Sequence, residues 1–262
     1  MKLDTVLTAV NDNPLYIGFV PYFIRMWKLL YPDVNVKIVL VAEYIPENLK
    51  EYNDNLILFK PIEGISTAFT SQYIRLLYPN LLGCTNGVLI TDMDIVPMNR
   101  TYYTYNIKDI DDDKFVYYRE NICRDHDEIA MCYNIALPGT WAEIFNINTI
   151  EDVTQRLKDV YSKITYGDVH GGDGWSTDQK DLLMCVEMWN NKTNNFVTLK
   201  ETDTNFKRLD RWGFPNIQTL TETIKSGTYC DYHCLRPYDM YKDINEYVFE
   251  TLKSSISKPE RD

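Results

Sequence analysis

The sequence lacks long hydrophobic runs and an excess of positive charge. Its 262 residues contain no stretch of eighteen apolar residues and no signal-peptide pattern, so we expect a cytoplasmic protein without a transmembrane segment. The 27 lysines and arginines are outnumbered by 38 aspartates and glutamates, which gives a net charge of −11. Because binding of nucleic acid requires a basic surface, this balance argues against nucleic acid as a partner.

Cysteine pairs with metal-binding spacing are also absent. The six cysteines include no CxxC pair and suggest no disulfide framework. Cys230, His233 and Cys234, together with Cys123 and His126, could form a zinc site, and buried reduced thiols are the alternative. No G-x4-G-K-[ST] segment occurs, which argues against a P-loop kinase or nucleoside triphosphatase.

The alternation of strands and helices predicts an α/β fold with a mainly parallel central sheet flanked by helices, and with a smaller, mixed second half. Apolar runs predict strands over residues 3–10, 34–42, 56–59, 88–91, 114–118, 129–137, 196–199 and 228–232. Helical spacing predicts helices over 16–30, 67–77, 141–145, 150–164, 176–189 and 238–252. Ser176 and Gln179 predict a capping box at the start of one of them.

We expect one catalytic domain over residues 1–255. Within it, residues 1–97 form a nucleotide-type first half and residues 98–255 form a more variable second half. Residues 256–262 are a polar tail. A glycine-rich loop over residues 166–175 is the expected lid over the site.

An acidic pair at the end of a predicted strand is the most informative motif. The apolar residues 88–90 lead through Thr91 into Asp92-Met93-Asp94. Carboxyl ends of parallel strands face the ligand crevice, and two carboxylates at such a place need neutralisation. A divalent cation, manganese or magnesium, together with the phosphates that it holds, is the usual reason for this arrangement.

The acidic pair is compatible with more than one function. Asp92-Met93-Asp94-Ile95-Val96 fits the D-x-D-x-[TV] signature of haloacid-dehalogenase-like phosphatases, in which Asp92 is the nucleophile. Gly172-Asp173 with Asp178 then fits the second acidic motif of these enzymes. The pair also fits a glycosyltransferase, where two carboxylates bind a metal that holds the diphosphate of a nucleotide-sugar. A non-catalytic module that binds a sugar or a nucleotide is the third possibility.

Other short segments accompany the acidic pair in a characteristic order. Residues 8–13 follow the first strand, and residues 72–77 contain a Y-x-R-L helix. Residues 132–136 resemble an F-N-[AS]-G strand, residues 177–183 a D-Q-D helix start and residues 231–237 a terminal histidine motif. This order resembles the GT-A type of glycosyltransferase, and is most similar to family 8, the glycogenin and lipopolysaccharide galactosyltransferase group.

The resemblance implies a GT-A fold and a role for each matching residue. The nucleotide-binding residues that it implies are Thr8, Ala9, Asn11, Asp12, Arg75, Asp92 and Arg236. The metal ligands are Asp92, Asp94 and His233. Asp178 and Gln179 lie near the reacting sugar, where Gln179 stabilises the sugar cation if the configuration is retained. If the reaction inverts, Asp178 or Asp173 is the base.

The resemblance further implies the partners of the protein. The expected donor is a nucleotide-sugar, preferably a uridine diphosphate sugar, bound together with Mn²⁺ or Mg²⁺. The expected acceptor is a hydroxyl group of a glycan, a glycolipid or a protein. In this fold residues 1–97 would be the nucleotide-binding half, and residues 98–255 would hold the sugar and the acceptor.

Overall fold

The computed structural model describes residues 1–120, 127–167 and 171–256. Its strands are β1 Leu3–Asn11, β2 Asn35–Val41, β3 Leu56–Phe59, β4 Gly87–Ile90, β5 Ile95–Pro97, β6 Phe115–Tyr117, β7 Asn134–Ala136, β8 Phe196–Thr198, β9 Arg208–Asp210 and β10 Asp231–His233. Its α-helices are α1 Val20–Leu30, α2 Thr67–Leu77, α3 Tyr102–Tyr105, α4 Pro138–Phe145, α5 Ile150–Tyr161, α6 Thr177–Thr193, α7 Glu201–Thr204, α8 Ile217–Lys225 and α9 Lys242–Ile256. No helix among these residues is long and apolar enough to cross a membrane.

A seven-stranded sheet forms the centre of the molecule. Its strand order is β3-β2-β1-β4-β7-β6-β8, and β7 alone runs antiparallel to its two neighbours. Strand β1 lies between β2 and β4 and is parallel to both. The prediction of a mainly parallel sheet flanked by helices is therefore confirmed.

A second, three-stranded sheet brings the end of the chain to the acidic pair. Strand β10 lies between β5 and β9, and His233 pairs with Ile95, the residue that follows Asp94. The backbone N–H of Cys234 donates a hydrogen bond of 2.8 Å to the carbonyl oxygen of Asp94. Register alone therefore places His233 beside Asp94.

A buried polar cluster fixes β9 against β10. The Tyr133 hydroxyl donates to Asp231, which is fully buried, and accepts a hydrogen bond from Arg208. Arg208 also forms an ion pair of 3.0 Å with Asp231. Because a buried charge is costly unless it is paired, this cluster holds the second sheet in place behind the site.

The elements of the first half agree with the sequence prediction to within one residue at most ends. The helix expected over residues 16–30 begins as a 3₁₀ turn, Ile17–Phe19, and continues as α1, with Pro21 in its first turn. Proline is tolerated there because the N–H groups of the first turn have no partner within the helix.

The strand expected over residues 129–137 is wrong for most of its length, since only Asn134–Ala136 pairs in the sheet. Tyr133 has a φ of 80°, which interrupts an extended chain. The side-chain amide of Asn134 then donates hydrogen bonds of 2.7 and 3.0 Å to the carbonyl oxygens of Ala130 and Met131 and holds the preceding turn.

Further differences fall in the second half. The strand expected over 228–232 is instead Asp231–His233, and β5, β9 and α8 were not predicted. Helix α4 begins three residues earlier than expected, α6 extends four residues further, and the last helix ends at Ile256. The prediction of a capping box is wrong, because Ser176 makes no side-chain capping bond.

The division of the chain at residue 97 stays a prediction, and residues 257–262 of the tail lie outside the described part.

Candidate active site

A cleft opens at the carboxyl ends of β1 and β4. It holds about 830 Å³ including its open mouth. One wall comes from the end of β1 and the loop after it, through Ala9, Val10, Asn11 and Asn13. The Asn11 amide donates a hydrogen bond of 3.1 Å to the Thr67 hydroxyl at the start of α2, which fixes this wall against the helix.

The acidic pair forms the floor of the cleft. The N–H of Thr91 donates to the carbonyl oxygen of Leu7 at 3.0 Å, which continues the pairing of β4 with β1 up to the motif. A tight turn follows, in which the N–H of Ile95 donates to the carbonyl oxygen of Asp92 at 3.2 Å. The turn leaves the Asp92 side chain 34% exposed and buries that of Asp94 to 5% exposure.

Arg75 of α2 connects three parts of the site. Its Nη1 donates to the carbonyl oxygen of Thr91 at 2.9 Å and to the Asp92 carboxylate. Its Nη2 lies 3.3 Å from Oδ2 of Asp178 at the start of α6. The helical position of Arg75 also suits a solvent-exposed arginine, but the side chain is 7% exposed and faces the cleft.

Two further arginines neutralise Asp94. Arg211 Nη1 lies 2.8 Å and Arg236 Nη1 lies 3.3 Å from the same oxygen, Oδ2. Burial alone would raise the pKa of Asp94, but the facing His233, Arg211 and Arg236 outweigh it and hold the pKa below its usual value. Burial lowers the pKa of His233 below its usual value, although the facing Asp94 raises it.

His233 lies on the other side of Arg211. Its Nε2 is 3.8 Å from Oδ2 of Asp94, and Nη2 of Arg211 makes a hydrogen bond to the same Nε2. Two carboxylates and a neutral imidazole are suitable ligands for a divalent ion, so these residues fit a metal by type. In the described part of the chain, however, no three acidic, histidine or cysteine side chains converge closely enough to hold an ion.

Asp178 and Gln179 lie at the first turn of α6 and both line the cleft. Burial raises the pKa of Asp178 to about 7, although Arg75 lowers it. The N–H of Gln179 donates to Oδ1 of Asp178 at 2.9 Å. The site therefore contains a carboxyl group that can gain or lose a proton near neutral pH.

Some of the expected site residues do not line the cleft. Thr8 is fully buried within β1, and its hydroxyl has no hydrogen-bond partner among the described residues. Asp12 and Asp173 are exposed and lie outside the wall of the cleft. Of the expected lid, residues 168–170 are outside the described part, and Trp175 lines the cleft.

Sequence reasoning missed Arg211, Tyr16, Ser71, Gln72, Met131 and other residues that line the cleft. Arg236 lies over the Tyr16 ring, 5.1 Å from its centroid, and donates to its hydroxyl. Burial, with Asp94 nearby, raises the pKa of Tyr16 to about 12. Arg211 directly follows the three-residue strand β9, in the segment R-L-D-R. An arginine directly after an aspartate was the only sequence signal that pointed to it.

The cysteines provide no support for zinc in the described residues. The Cys230 thiol donates to the carbonyl oxygen of Asn205 at 3.6 Å, and the Cys234 thiol to that of Tyr232 at 3.7 Å. Both are buried, and burial raises the pKa of each thiol. Cys123 and His126 lie outside the described residues.

No protein-family model and no curated protein matches the chain, but solved structures do. The glycosyltransferase GlyE of Streptococcus pneumoniae TIGR4 is 14% identical with a TM-score of 0.50, and the match covers 96% of this chain and 60% of GlyE. The galactosyltransferase LgtC, solved with donor and acceptor sugar analogs, is 14% identical with a TM-score of 0.46 over 98% of each chain.

A third match is glucosyl-3-phosphoglycerate synthase from Mycobacterium tuberculosis, solved with Mn²⁺ and uridine diphosphate. It is 8% identical with a TM-score of 0.41, and the match covers 99% of this chain and 80% of that enzyme. At these sequence identities, structural similarity is evidence for the fold alone. Here that evidence comes from the similarity to GlyE. Together with the strand order around β1 and β4, it confirms that the chain has the GT-A fold of glycosyltransferases.

Proposed function

We propose that the protein is a glycosyltransferase that moves a sugar from a nucleoside diphosphate sugar to a hydroxyl group of an acceptor. One observation carries the proposal: three arginines, Arg75, Arg211 and Arg236, converge on the acidic pair in one cleft of a protein whose net charge is −11. Their guanidinium groups, which pair with Asp92, Asp94 and Asp178, form an arginine cluster whose charged donors suit a ligand with several negative charges.

A diphosphate is the ligand that this cluster fits best. Guanidinium groups bind phosphate oxygens with two parallel hydrogen bonds, and they keep their charge at any physiological pH. The charge that develops on the departing nucleoside diphosphate would be stabilised by groups already in place. The polar and small residues at the end of β1, including Asn11 and Asn13, leave room for the nucleoside beside them.

Asp178 and Gln179 are the groups that we assign to the reacting sugar. Gln179 has an uncharged side chain at the cleft wall, as stabilisation of a sugar cation with retained configuration requires. Asp178, with its pKa raised to about 7 by burial, is the better base if the configuration inverts. Asp173 is not proposed for this role, because it is exposed and lies outside the cleft wall.

The acidic pair and His233 are our proposed ligands for Mn²⁺ or Mg²⁺. A bound divalent ion would act as a Lewis acid toward the leaving diphosphate. Asp94 and His233 face each other across Arg211, and the two carboxylates belong to one tight turn.

Donor hydrolysis tests the proposal. The protein is incubated with a panel of nucleoside diphosphate sugars in Mn²⁺, and release of the free nucleoside diphosphate is measured. We expect slow hydrolysis of at least one donor, and we expect Asp92→Asn to remove it while the circular dichroism spectrum stays unchanged. Hydrolysis of p-nitrophenyl phosphate without any donor turnover would instead indicate the phosphatase. Donor binding without turnover would indicate the non-catalytic module.

A further inference from the structure

Arg211 bridges two of the proposed metal ligands. One terminal nitrogen, Nη1, donates to Oδ2 of Asp94 at 2.8 Å, and the other, Nη2, contacts Nε2 of His233. Nη1 also lies 3.2 Å from the carbonyl oxygen of Cys234. The guanidinium group therefore fills the gap between the carboxylate and the imidazole, and its side chain is 11% exposed.

The contact with His233 uses the same electron pair that a metal would need. A guanidinium group has donors only, so Nε2 of His233 must accept the hydrogen bond. In a neutral ring that accepts at Nε2, the hydrogen lies on Nδ1, which is buried without a hydrogen-bond partner among the described residues and lies 3.5 Å from Oδ1 of Asp210. The ring thus already has the tautomer that binds metal, with Arg211 in the place of the ion.

The surroundings of Arg211 also permit its side chain to move out of the gap between Asp94 and His233. Its Nε is buried without a hydrogen-bond partner among the described residues, and an unsatisfied buried donor has a free-energy cost. It follows β9, which lies at the edge of the second sheet and pairs with β10 only. The next residue, Trp212, is 78% exposed.

We propose that Arg211 is a resident cation that a divalent ion must displace before it can bind between Asp94 and His233. The inference rests on the proposed metal ligands and deepens them. The protein without nucleotide then binds the ion weakly, because each ion that enters has to break the contacts of Arg211 with both side chains. Arg211 and the ion exclude one another at Nε2 of His233, whereas Arg236 meets Oδ2 of Asp94 through its Nη1.

Binding of Mn²⁺ alone, measured by electron paramagnetic resonance of the free ion, tests this inference without reference to activity. Arg211→Met removes the donors and keeps most of the side-chain volume. Arg236→Met is the matched control, because it removes an equal charge from the same oxygen of Asp94. We expect Arg211→Met to bind Mn²⁺ at least tenfold more tightly than the unmodified protein, and Arg236→Met to change the affinity less than threefold.

The outcomes separate this inference from the proposed function. An unchanged or weaker affinity in Arg211→Met overturns the role of Arg211, and so does an equal gain in both variants, which would indicate charge alone. If Arg211→Met is unfolded in a thermal scan, Arg211→Ala provides the same comparison. Absence of Mn²⁺ binding in every variant overturns the metal ligands and this inference, while donor hydrolysis in a chelator would leave the transferase proposal intact.

Discussion

At the scale of single residues, Arg75 makes the closest link between the fold and the chemistry. It is buried, it reaches the backbone at Thr91, and it pairs with both Asp92 and Asp178. The pKa of Arg75 is raised because these carboxylates outweigh the effect of burial. Removal of its charge would leave a buried carboxyl group without its partner.

We therefore expect Arg75→Met to lower the free energy of unfolding by about 3 kcal/mol, because one partner of a buried pair is lost. Urea denaturation at pH 8 measures this. Arg156→Met is the control: Arg156 pairs with Asp181 at 3.5 Å but is 32% exposed, so its loss should cost less than about 1 kcal/mol. Equal losses in the two variants would contradict the assignment.

Asp178 gives a prediction about pH. Burial raises its folded-state pKa to about 7 from the ordinary value of 3.8, so between these two pH values the folded protein binds the proton of Asp178 more tightly than the unfolded chain does. The contribution of this group to stability is complete below about pH 4 and is lost as the pH rises through 7. The loss relative to Asp178→Asn is at most about 1.4 kcal/mol per pH unit.

Urea denaturation of the unmodified protein and of Asp178→Asn between pH 5 and 8 measures this difference. We expect the stability of the variant to depend less on pH and its donor hydrolysis to be reduced at least tenfold. If the free energy of unfolding depended on pH in the same way for both proteins, the carboxyl group of Asp178 would titrate as in the unfolded chain, which would contradict this prediction.

Sequence motifs located the residues that lie at the ends of well-predicted elements. Asp92 and Asp94 follow β4, Arg75 lies on α2, and Asp178 begins α6. These positions are set by elements whose apolar pattern is strong. Arg211 had no such signal, because its position depends on a strand of three residues and on the pairing of β9 with β10.

At the scale of elements, the first half was predictable because its central strands β1 and β2 are seven or more residues long and alternate with amphipathic helices. The second half uses strands of three residues, too short for a periodic pattern. Residues 129–133 are apolar for a different reason: they form a buried turn, which Asn134 holds through its side-chain amide. Apolar character alone does not distinguish such a turn from a strand.

The loop before α6 provides the prediction at this scale. Gly174 has a φ of +72°, and a Cβ added there would lie 2.4 Å from the carbonyl oxygen of Thr165. Gly174→Ala must therefore displace the loop and with it Trp175, which lines the cleft. We expect about tenfold weaker binding of a nucleoside diphosphate in calorimetry, together with a lower midpoint of thermal unfolding.

Gly171→Ala is the matched control for this variant. Gly171 has a φ of +75°, but a Cβ there would meet no atom of the described residues within 4 Å, so the change adds the strain of a left-handed residue, about 1 kcal/mol. Equal effects of the two substitutions on nucleotide binding would show that the contact with Thr165 does not position Trp175.

At the scale of the whole molecule, charge is distributed unevenly. The net charge of −11 argues against nucleic acid as a partner but does not reveal that three arginines line one cleft. Composition averages over the chain, whereas the cluster is assembled from α2, from the residue after β9 and from the segment after β10. Only the fold brings these distant positions together.

The fold also decides how the acidic pair is interpreted. As a short motif, it fitted a phosphatase and a glycosyltransferase equally well. In the structure it follows the fourth strand of a GT-A fold, and Asp173 of the expected second phosphatase motif lies outside the cleft wall. The arginine cluster, not the pair itself, is what favours a diphosphate ligand.

Calorimetric titration with nucleoside diphosphates and with the matching nucleosides tests the central claim most directly. The account predicts that at least one nucleoside diphosphate binds at least a hundredfold more tightly than its nucleoside, and that Arg236→Met removes most of this difference. Equal affinity for the two, or binding of neither in the presence of Mn²⁺, would contradict it.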